Sequence, residues 1–420
     1  MSNKLKKIKP KAEQIEFLNW EFGAFFHFGI RSFYLGHKDW DHREMPADVF
    51  NPESLDCEQW IKTVKEAGAK YAIFVAKHHD GFANWPSKYT EYSVANTPWR
   101  DGKGDIVREF VDACNKYSLK VGIYYSPAQW GCIDSDEEID YDQYFINQIT
   151  ELLTNYGKVD YLWFDGNGSE GHEYDTKRIV GVIRSLQPNI LIFNMWDPDT
   201  RWVGNEDGYA NLPNFNTVSA LDFSTNTTEQ DTLEEAMFLP AECDFMMRDT
   251  WFDCENNEDK IKTLDELVGI YEMSVGRGAN FLINIGPNRH GLLPEPDVKR
   301  ILEFGEEIRR RYDTPVESFG EITPEKEKEN EFFIERQGAE LLNCVILSED
   351  LTDGESVMEY EIYGLLPLYR HDIVCLYRGK NIGHKAICRF PTVRTQKVIL
   401  KIKDSNGEYK ISDMKAYYIK

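Results

Sequence analysis

The sequence predicts an α/β protein: an irregular (β/α)8-like barrel followed by a C-terminal antiparallel β-sandwich. Three observations carry that prediction. Short apolar runs alternate with amphipathic helical segments through most of the chain, as in a parallel sheet with crossover helices. About seven such strand–helix units follow one another over some three hundred residues, more than a doubly wound sheet usually needs. Near Glu321 the pattern changes to short β-rich runs separated by turn signals such as Asp353-Gly354, Asn381-Ile382-Gly383 and Asn406-Gly407.

In chain order, a basic, polar tail leads into Phe22–Gly29, an apolar strand ending in His27 and Gly29. Cys57–Gly68 has helical spacing (Trp60, Ile61, Val64, Ala67) and a terminal glycine. Lys70–Lys77 is almost continuously apolar, as expected of a strand covered on both faces, and runs into His78-His79-Asp80-Gly81. Helix Asp105–Tyr117, strand Lys120–Ser126, helix Asp142–Tyr156 and strand Val159–Asp165 repeat the alternation. So do helix Thr176–Leu186 and strand Ile190–Asn194. After a long polar loop come strand Pro240–Met246, helix Lys260–Val275, strand Asn280–Ile285 and helix Pro296–Tyr312. An eighth strand is not visible. The charged run Glu325–Glu331 reads as a linker, giving a barrel over residues 1–320 and an accessory sandwich over 325–420. Its strands are expected at Cys344–Leu347, Val357–Tyr363, Asp372–Tyr377 and Val398–Ile402.

Composition excludes several function classes. A formal charge of −24 repels phosphate backbones and anionic membranes, so nucleic acid is not an expected partner. No run approaches the length of a membrane span. The eight cysteines are scattered without a CxxC pair, which removes zinc-ribbon and thioredoxin chemistry. Residues Met1–Gln14 lack an apolar signal core, so a cytoplasmic location is expected unless a signal peptide has been removed. Ten Trp, twenty-two Tyr and twenty-four Phe give an aromatic share of 13%, compatible with stacking on sugar faces.

Polar residues recur at successive strand ends: His27, then His78 and His79, then Tyr124, then Trp163 with Asp165. In a barrel those ends form the catalytic face. Three histidines and an aspartate would also suit a metal-dependent barrel hydrolase. There is no H-x-H or H-E-x-x-H pairing, and continued pleating would send His78 and His79 to opposite faces. Neutral imidazoles bonding to a polyol beside Trp and Tyr fit the set better. Glycoside hydrolysis needs two carboxylates. Asp165 is one, and Asp80, Glu206 in the long loop and Glu242 on a barrel strand are candidates for the other. Position on a strand favours Glu242, loop placement favours Glu206, and the residues alone leave the choice open.

Several motifs occur together and in order: His27-Phe-Gly29, Lys77-His-His-Asp-Gly-Phe82 with Trp85-Pro-Ser-Lys-Tyr89, Gly122-Ile-Tyr-Tyr-Ser126 and Trp163-Phe-Asp-Gly166. Pro240-Ala-Glu-Cys243, Gly278-Ala-Asn-Phe-Leu-Ile-Asn-Ile-Gly-Pro287 and Ile382-Gly-His-Lys385 follow. Together they resemble glycoside hydrolase family 29, the α-L-fucosidases, from about Phe22 onward. The resemblance implies an exo-acting, retaining glycosidase that needs no cofactor or metal and acts on fucosylated oligosaccharides or glycoconjugates. It implies Asp165 as nucleophile, and His27, Trp40, His78, His79, Tyr124 and Trp163 as fucose-binding residues. Trp202-Val-Gly-Asn-Glu206 is similar to the subgroup that cleaves α-1,3 and α-1,4 linkages, which moves the acid/base assignment to Glu206. Glu242, Arg248 and Trp251 then match either pocket or neighbouring-sugar contacts or buried structural groups. Asp39 stands where the family usually has Glu, and Tyr125-Ser-Pro-Ala-Gln-Trp130 also departs from the subgroup's sequence. The competing reading is a fucoside-binding protein without catalysis.

Overall fold

The computed structural model describes residues 7–34, 45–128, 140–166, 172–221, 231–366 and 372–420. Ten strands and seven helices occupy the first part of the chain: α1 (Ala12–Trp20), β1 (Phe22–Phe26), α2 (Cys57–Ala67), β2 (Tyr71–Lys77), α3 (Ile106–Tyr117), β3 (Lys120–Tyr125), α4 (Tyr141–Asn155), β4 (Tyr161–Phe164), α5 (Thr176–Leu186), β5 (Leu191–Phe193), β6 (Arg201–Trp202), β7 (Thr217–Leu221), β8 (Asp231–Phe238), β9 (Ala241–Met246), α6 (Leu264–Ser274), β10 (Asn280–Asn284) and α7 (Glu295–Tyr312). Eight of the strands form one parallel sheet in the order β5-β4-β3-β2-β1-β10-β9-β6. A parallel bridge between Phe193 and Thr200 joins its two ends. The Asp199 N–H also donates to the Ile192 carbonyl at 2.8 Å and the Asn194 N–H to the Thr200 carbonyl at 3.0 Å, so the sheet closes into a barrel.

The eighth strand lies inside the stretch that reads as a polar loop. It is β6, two residues long, and it pairs with β9 through Arg201–Ala241 and Trp202–Glu242. Two residues carry no periodicity, which is why the sequence shows no strand there. The β7–β8 pair is a separate antiparallel sheet outside the barrel.

Aspartates begin four of the barrel helices. The side chains of Asp56, Asp105, Asp140 and Asp175 accept from first-turn N–H groups of α2, α3, α4 and α5, which have no partner in the helical i→i−4 ladder. Gly68 ends α2 in the left-handed conformation (φ 113°) that a side chain would disfavour.

Inside the barrel, the first residues of β2 and β4, Tyr71 and Tyr161, pack against Phe17 and Trp20 of α1. Helix α1 therefore stops the N-terminal mouth, and what reads as a polar tail in the sequence supplies core side chains. Gly23 on β1 makes room for this layer, since a Cβ there would lie 2.2 Å from the Tyr71 ring. The far end of the barrel is left for chemistry.

The remaining strands, β11 (Thr323–Pro324), β12 (Glu331–Glu349), β13 (Val357–Leu365), β14 (Ile373–Gly379), β15 (Ala386–Ser405) and β16 (Ile411–Tyr417), form an antiparallel sheet. Strands β12 and β15 are long and shift register, so the sheet folds over its own core of Ile334, Leu342, Val357, Ile362 and Leu400. The charged run Glu325–Glu331 is the turn between β11 and β12 rather than a linker, and Phe319 already belongs to this core. The two parts touch directly: the Ile387 N–H donates to the Gly276 carbonyl at 3.0 Å.

Candidate active site

Asp165 follows β4 immediately and stands at the C-terminal rim of the barrel. One carboxylate oxygen, Oδ2, accepts the Tyr124 hydroxyl at 2.9 Å and lies 3.3 Å from Nε2 of His79. Tyr124 reaches it because β3 and β4 pair Tyr124 with Trp163, two residues before Asp165. The Asp165 side chain keeps 26% of its surface exposed, enough to meet a ligand.

Alternation alone would separate His78 from His79, but the pairing of β2 with β3 slips between Val75 and Lys77 and the strand stops there. The two rings lie 4.3 Å apart between centroids. Ser126 donates to the Ala128 carbonyl at 2.9 Å, so its oxygen accepts from His79 Nδ1 at 2.5 Å. That bond holds the opposite ring nitrogen toward Asp165. His78 lies parallel to the Tyr124 ring at 5.8 Å, and its Nδ1 is buried with no hydrogen-bond partner among the described residues. A hydroxyl-bearing ligand is the kind of group that completes such an atom.

His27 follows β1. Asn284, at the end of β10, donates from its amide nitrogen to the Trp251 carbonyl at 2.7 Å, which turns its oxygen to His27 Nδ1 at 2.8 Å. Burial pushes His27 down to about 3 and holds His78 well below the usual imidazole range, with the neighbouring imidazoles adding to the effect on His78. Both rings are therefore neutral and able to donate at one nitrogen and accept at the other. Trp251 packs 4.9 Å from the His27 ring.

Trp163 forms the floor. Its indole is stacked between Phe193 (4.1 Å) and Tyr124 (5.4 Å), and its N–H donates to Glu242 Oε1 at 2.9 Å. Among the described residues no three His, Cys, Asp or Glu side chains converge as a metal-binding group. The arrangement is a rim carboxylate held by a phenol and an imidazole, over an indole and beside two neutral histidines.

The sequence model of the family described as alpha-L-fucosidase matches residues 38–311. The chain belongs to the α-L-fucosidase family. It is therefore a glycoside hydrolase by descent, and its likeness to relatives extends over both parts of the fold. Alpha-L-fucosidase 1 of Arabidopsis thaliana is 35% identical over 71% of this chain, which spans 60% of that relative's length. A glycoside hydrolase 29 family member from an unknown rumen bacterium is 30% identical, with a TM-score of 0.87 over 98% of this chain and 78% of its own. The structure of SpGH29 is 29% identical, with a TM-score of 0.89 over 99% of this chain and 100% of its own.

On this α-L-fucosidase framework the two candidate second carboxylates lie in unlike surroundings. Glu206 is exposed, four residues beyond Trp202 of β6, and the adjacent Asp207 bridges to Phe245 of β9. Glu242 is wholly buried inside the barrel. Its oxygens accept from Tyr71 at 2.6 Å, Trp163 at 2.9 Å and Tyr161 at 3.2 Å. Burial raises it to about 7 against the lowering effect of those three donors. Asp80, the third candidate, is buried against Arg31 and accepts from the Phe82 N–H at 2.8 Å. The Arg248 guanidinium donates to both Asp297 oxygens and, at 2.7 Å, to Asn257. Trp40 lies outside the described residues, as do Asp39, Gln129 and Trp130.

Several residues of the site carry no signal strong enough to single them out. Asn284, Ser126, Phe252 and Phe193 position or enclose the histidines and the indole. Asn284 could have been found as the amide that ends an otherwise apolar run. Asp244, buried on the same face of β9 as Glu242, accepts the Trp202 indole N–H at 2.7 Å; burial and then the charge of Glu206 push it well above the carboxylate range.

Proposed function

We propose that the protein is an exo-acting, retaining α-L-fucosidase that releases terminal α-1,3- or α-1,4-linked fucose from oligosaccharides or glycoconjugates. The observation that carries this reading is Asp165 itself, an accessible carboxylate oriented by Tyr124 and His79 at the barrel's catalytic rim. Asp165 attacks the anomeric carbon while Glu206, protonated, delivers its proton to the departing glycosidic oxygen. The bond from anomeric carbon to aglycone breaks as the bond to Asp165 forms, giving a covalent fucosyl–enzyme. Glu206, now a carboxylate, takes a proton from water, and the water oxygen displaces Asp165 with net retention. The two carboxyl groups are expected about 5–5.5 Å apart during turnover.

The roles of the remaining residues follow from their surroundings. His27 and His78, both neutral and the latter with an unpartnered Nδ1, suit the ring hydroxyls of fucose, and the Trp163 and Trp251 faces suit its apolar C–H surface and methyl group. Exposure and a place beside β6 support Glu206 as acid/base, and the Trp202–Glu206 motif supports the linkage preference. Glu242 lies under Trp163 with both oxygens engaged, which suits a supporting role.

Turnover of an aryl α-L-fucoside tests the nucleophile: Asp165→Asn abolishes it while leaving the fold intact, and near-normal activity would sink the assignment. Azide rescue separates the carboxyls, restoring Glu206→Ala and not Glu242→Ala. Release of fucose from a Lewis-type oligosaccharide, unchanged by chelator, distinguishes hydrolysis from binding alone and from metal-dependent catalysis.

A further inference from the structure

Strand β6 launches the segment that carries Glu206, yet its ladder is only two residues long. So short a strand is expected to fray unless something outside the ladder holds it. The barrel holds it in part, with the Trp202 N–H donating to Asn194 Oδ1 at 3.0 Å and its indole N–H to Asp244, and the C-terminal sheet domain adds a further hold at Arg201. From the turn after β14, Asn381 donates its amide nitrogen to the Asn214 carbonyl at 2.9 Å and accepts the Asn214 N–H at 3.3 Å. The Asn214 side chain in turn accepts from the Arg201 guanidinium at 2.6 Å and donates to the Arg277 carbonyl at 3.0 Å. Arg201 is the first residue of β6.

A second contact lies beside the first. Glu355, just before β13, accepts the Asn216 N–H at 2.7 Å, the Asn216 side-chain amide at 2.8 Å and the Thr217 N–H at 3.4 Å. Arg201, Asn214, Asn216, Asn381 and Glu355 are all buried. Polar groups buried this fully are costly to leave unmatched, so these bonds resist displacement, although Asn216 Oδ1 itself has no hydrogen-bond partner among the described residues. Both ends of the 201–217 segment are thereby fixed, one through Arg201 and the other through Asn216, and Glu206 sits between them. The middle has its own local lock, with the Asn205 amide donating to the Tyr209 carbonyl at 2.9 Å.

We propose that Asn381 and Glu355 of the C-terminal domain are positioning residues for the acid/base: through Asn214, Arg201 and Asn216 they set where the Glu206 loop meets the aglycone. This rests on Glu206 being the acid/base. It assigns the domain a part in the protonation step rather than in fucose binding.

Leaving-group dependence tests it, because a displaced acid matters only where the aglycone needs a proton. Compare kcat/KM for 2-chloro-4-nitrophenyl α-L-fucoside, which needs little assistance, with that for phenyl α-L-fucoside, which needs much. Asn381→Ala is expected to lose about tenfold on the phenyl substrate and less than about threefold on the activated one, with free fucose inhibiting as before. Glu355→Gln, which turns an amide N–H toward the Asn216 donors, gives the same pattern, and Asn381→Asp gives a weaker form should the alanine variant fold poorly. Equal losses on both substrates, or no loss, overturn the inference. Glu206→Gln is the control. If it shows steep leaving-group dependence and the Asn381 and Glu355 variants do not, the inference fails alone; if it shows none, the Glu206 assignment has failed and the inference with it.

Discussion

Replacing Glu242 by Gln tests the claim that this carboxyl is a buried structural group, and it does so through pH. Its ordinary value of 4.5 is raised to about 7 in the fold, chiefly by burial. The unfolded chain gives up the proton at lower pH than the native state does. The stabilisation is therefore fully present below pH 4.5, declines as pH rises toward 7, and is gone above it. A displacement of that size is worth roughly 3 kcal/mol between the two ends of the window. Gln cannot ionise, so it escapes this loss, but it gives up one good acceptor among the bonds to Tyr71, Trp163 and Tyr161, a cost of about 1 kcal/mol. The expected outcome is a crossing: near pH 4.5 the wild type is more stable by about 1 kcal/mol, and at pH 8 Glu242→Gln is more stable by about 2 kcal/mol. Urea unfolding of both proteins at the two pH values measures it, and the contributions of titrating groups not coupled to Glu242 cancel in the difference; Asp244, which burial, Glu206 and also the Glu242 charge push up, does not. The same stability gap at both pH values would refute the reasoning.

Tyr124→Phe removes the hydroxyl bonded to Asp165 Oδ2, and kcat/KM on an aryl fucoside should fall about 10- to 100-fold with circular dichroism unchanged. Asp297→Asn removes the counter-charge bonded to the Arg248 guanidinium, whose side chain is 8% exposed, leaving only the more weakly acting Asp253 and Glu258; unfolding measurements should show a loss of about 3 kcal/mol. Gly23→Ala drives a methyl group into the Tyr71 ring, and the strain should cost at least about 1–3 kcal/mol in the same measurement.

Legibility in the sequence followed the length and periodicity of each element. Helices α2, α3, α5 and α7 lie within a residue of their expected bounds, because an apolar stripe and an aspartate, glycine or proline mark each one. Strands β2 and β3 stood out as apolar runs for the same physical reason, burial on both faces. What escaped was short or irregular. Strand β6 has two residues, α1 hides Phe17 and Trp20 behind a basic start, and Glu325–Glu331 is a turn whose charges look like a linker's. In the site, residues at strand ends were visible because their polarity interrupts apolar runs. Asn284, Ser126 and Phe252 were not, since each acts on a histidine from a different part of the chain, and only the closed barrel brings them within reach.

The two carboxylates of the proposed mechanism are supported in opposite ways, and the demands of retention explain why. A nucleophile must approach one carbon along one line, and Asp165 is held by Tyr124 of β3 and by His79, just beyond β2, on a single oxygen. The acid/base meets an oxygen whose substituent differs from one glycan to the next, so its site is better built on a segment than on a strand. Glu206 rides on such a segment. Its anchors are remote: the Asn214–Arg201 bond at the start, Asn216 with Glu355 at the end, and the Asp207–Phe245 bridge beside it. Substitution inside that segment can therefore change which aglycones are accepted while Asp165 and the fucose pocket stay as they are. Substitution at Tyr124 or His79 cannot, because those residues touch the carboxylate that the proposed mechanism uses on every substrate.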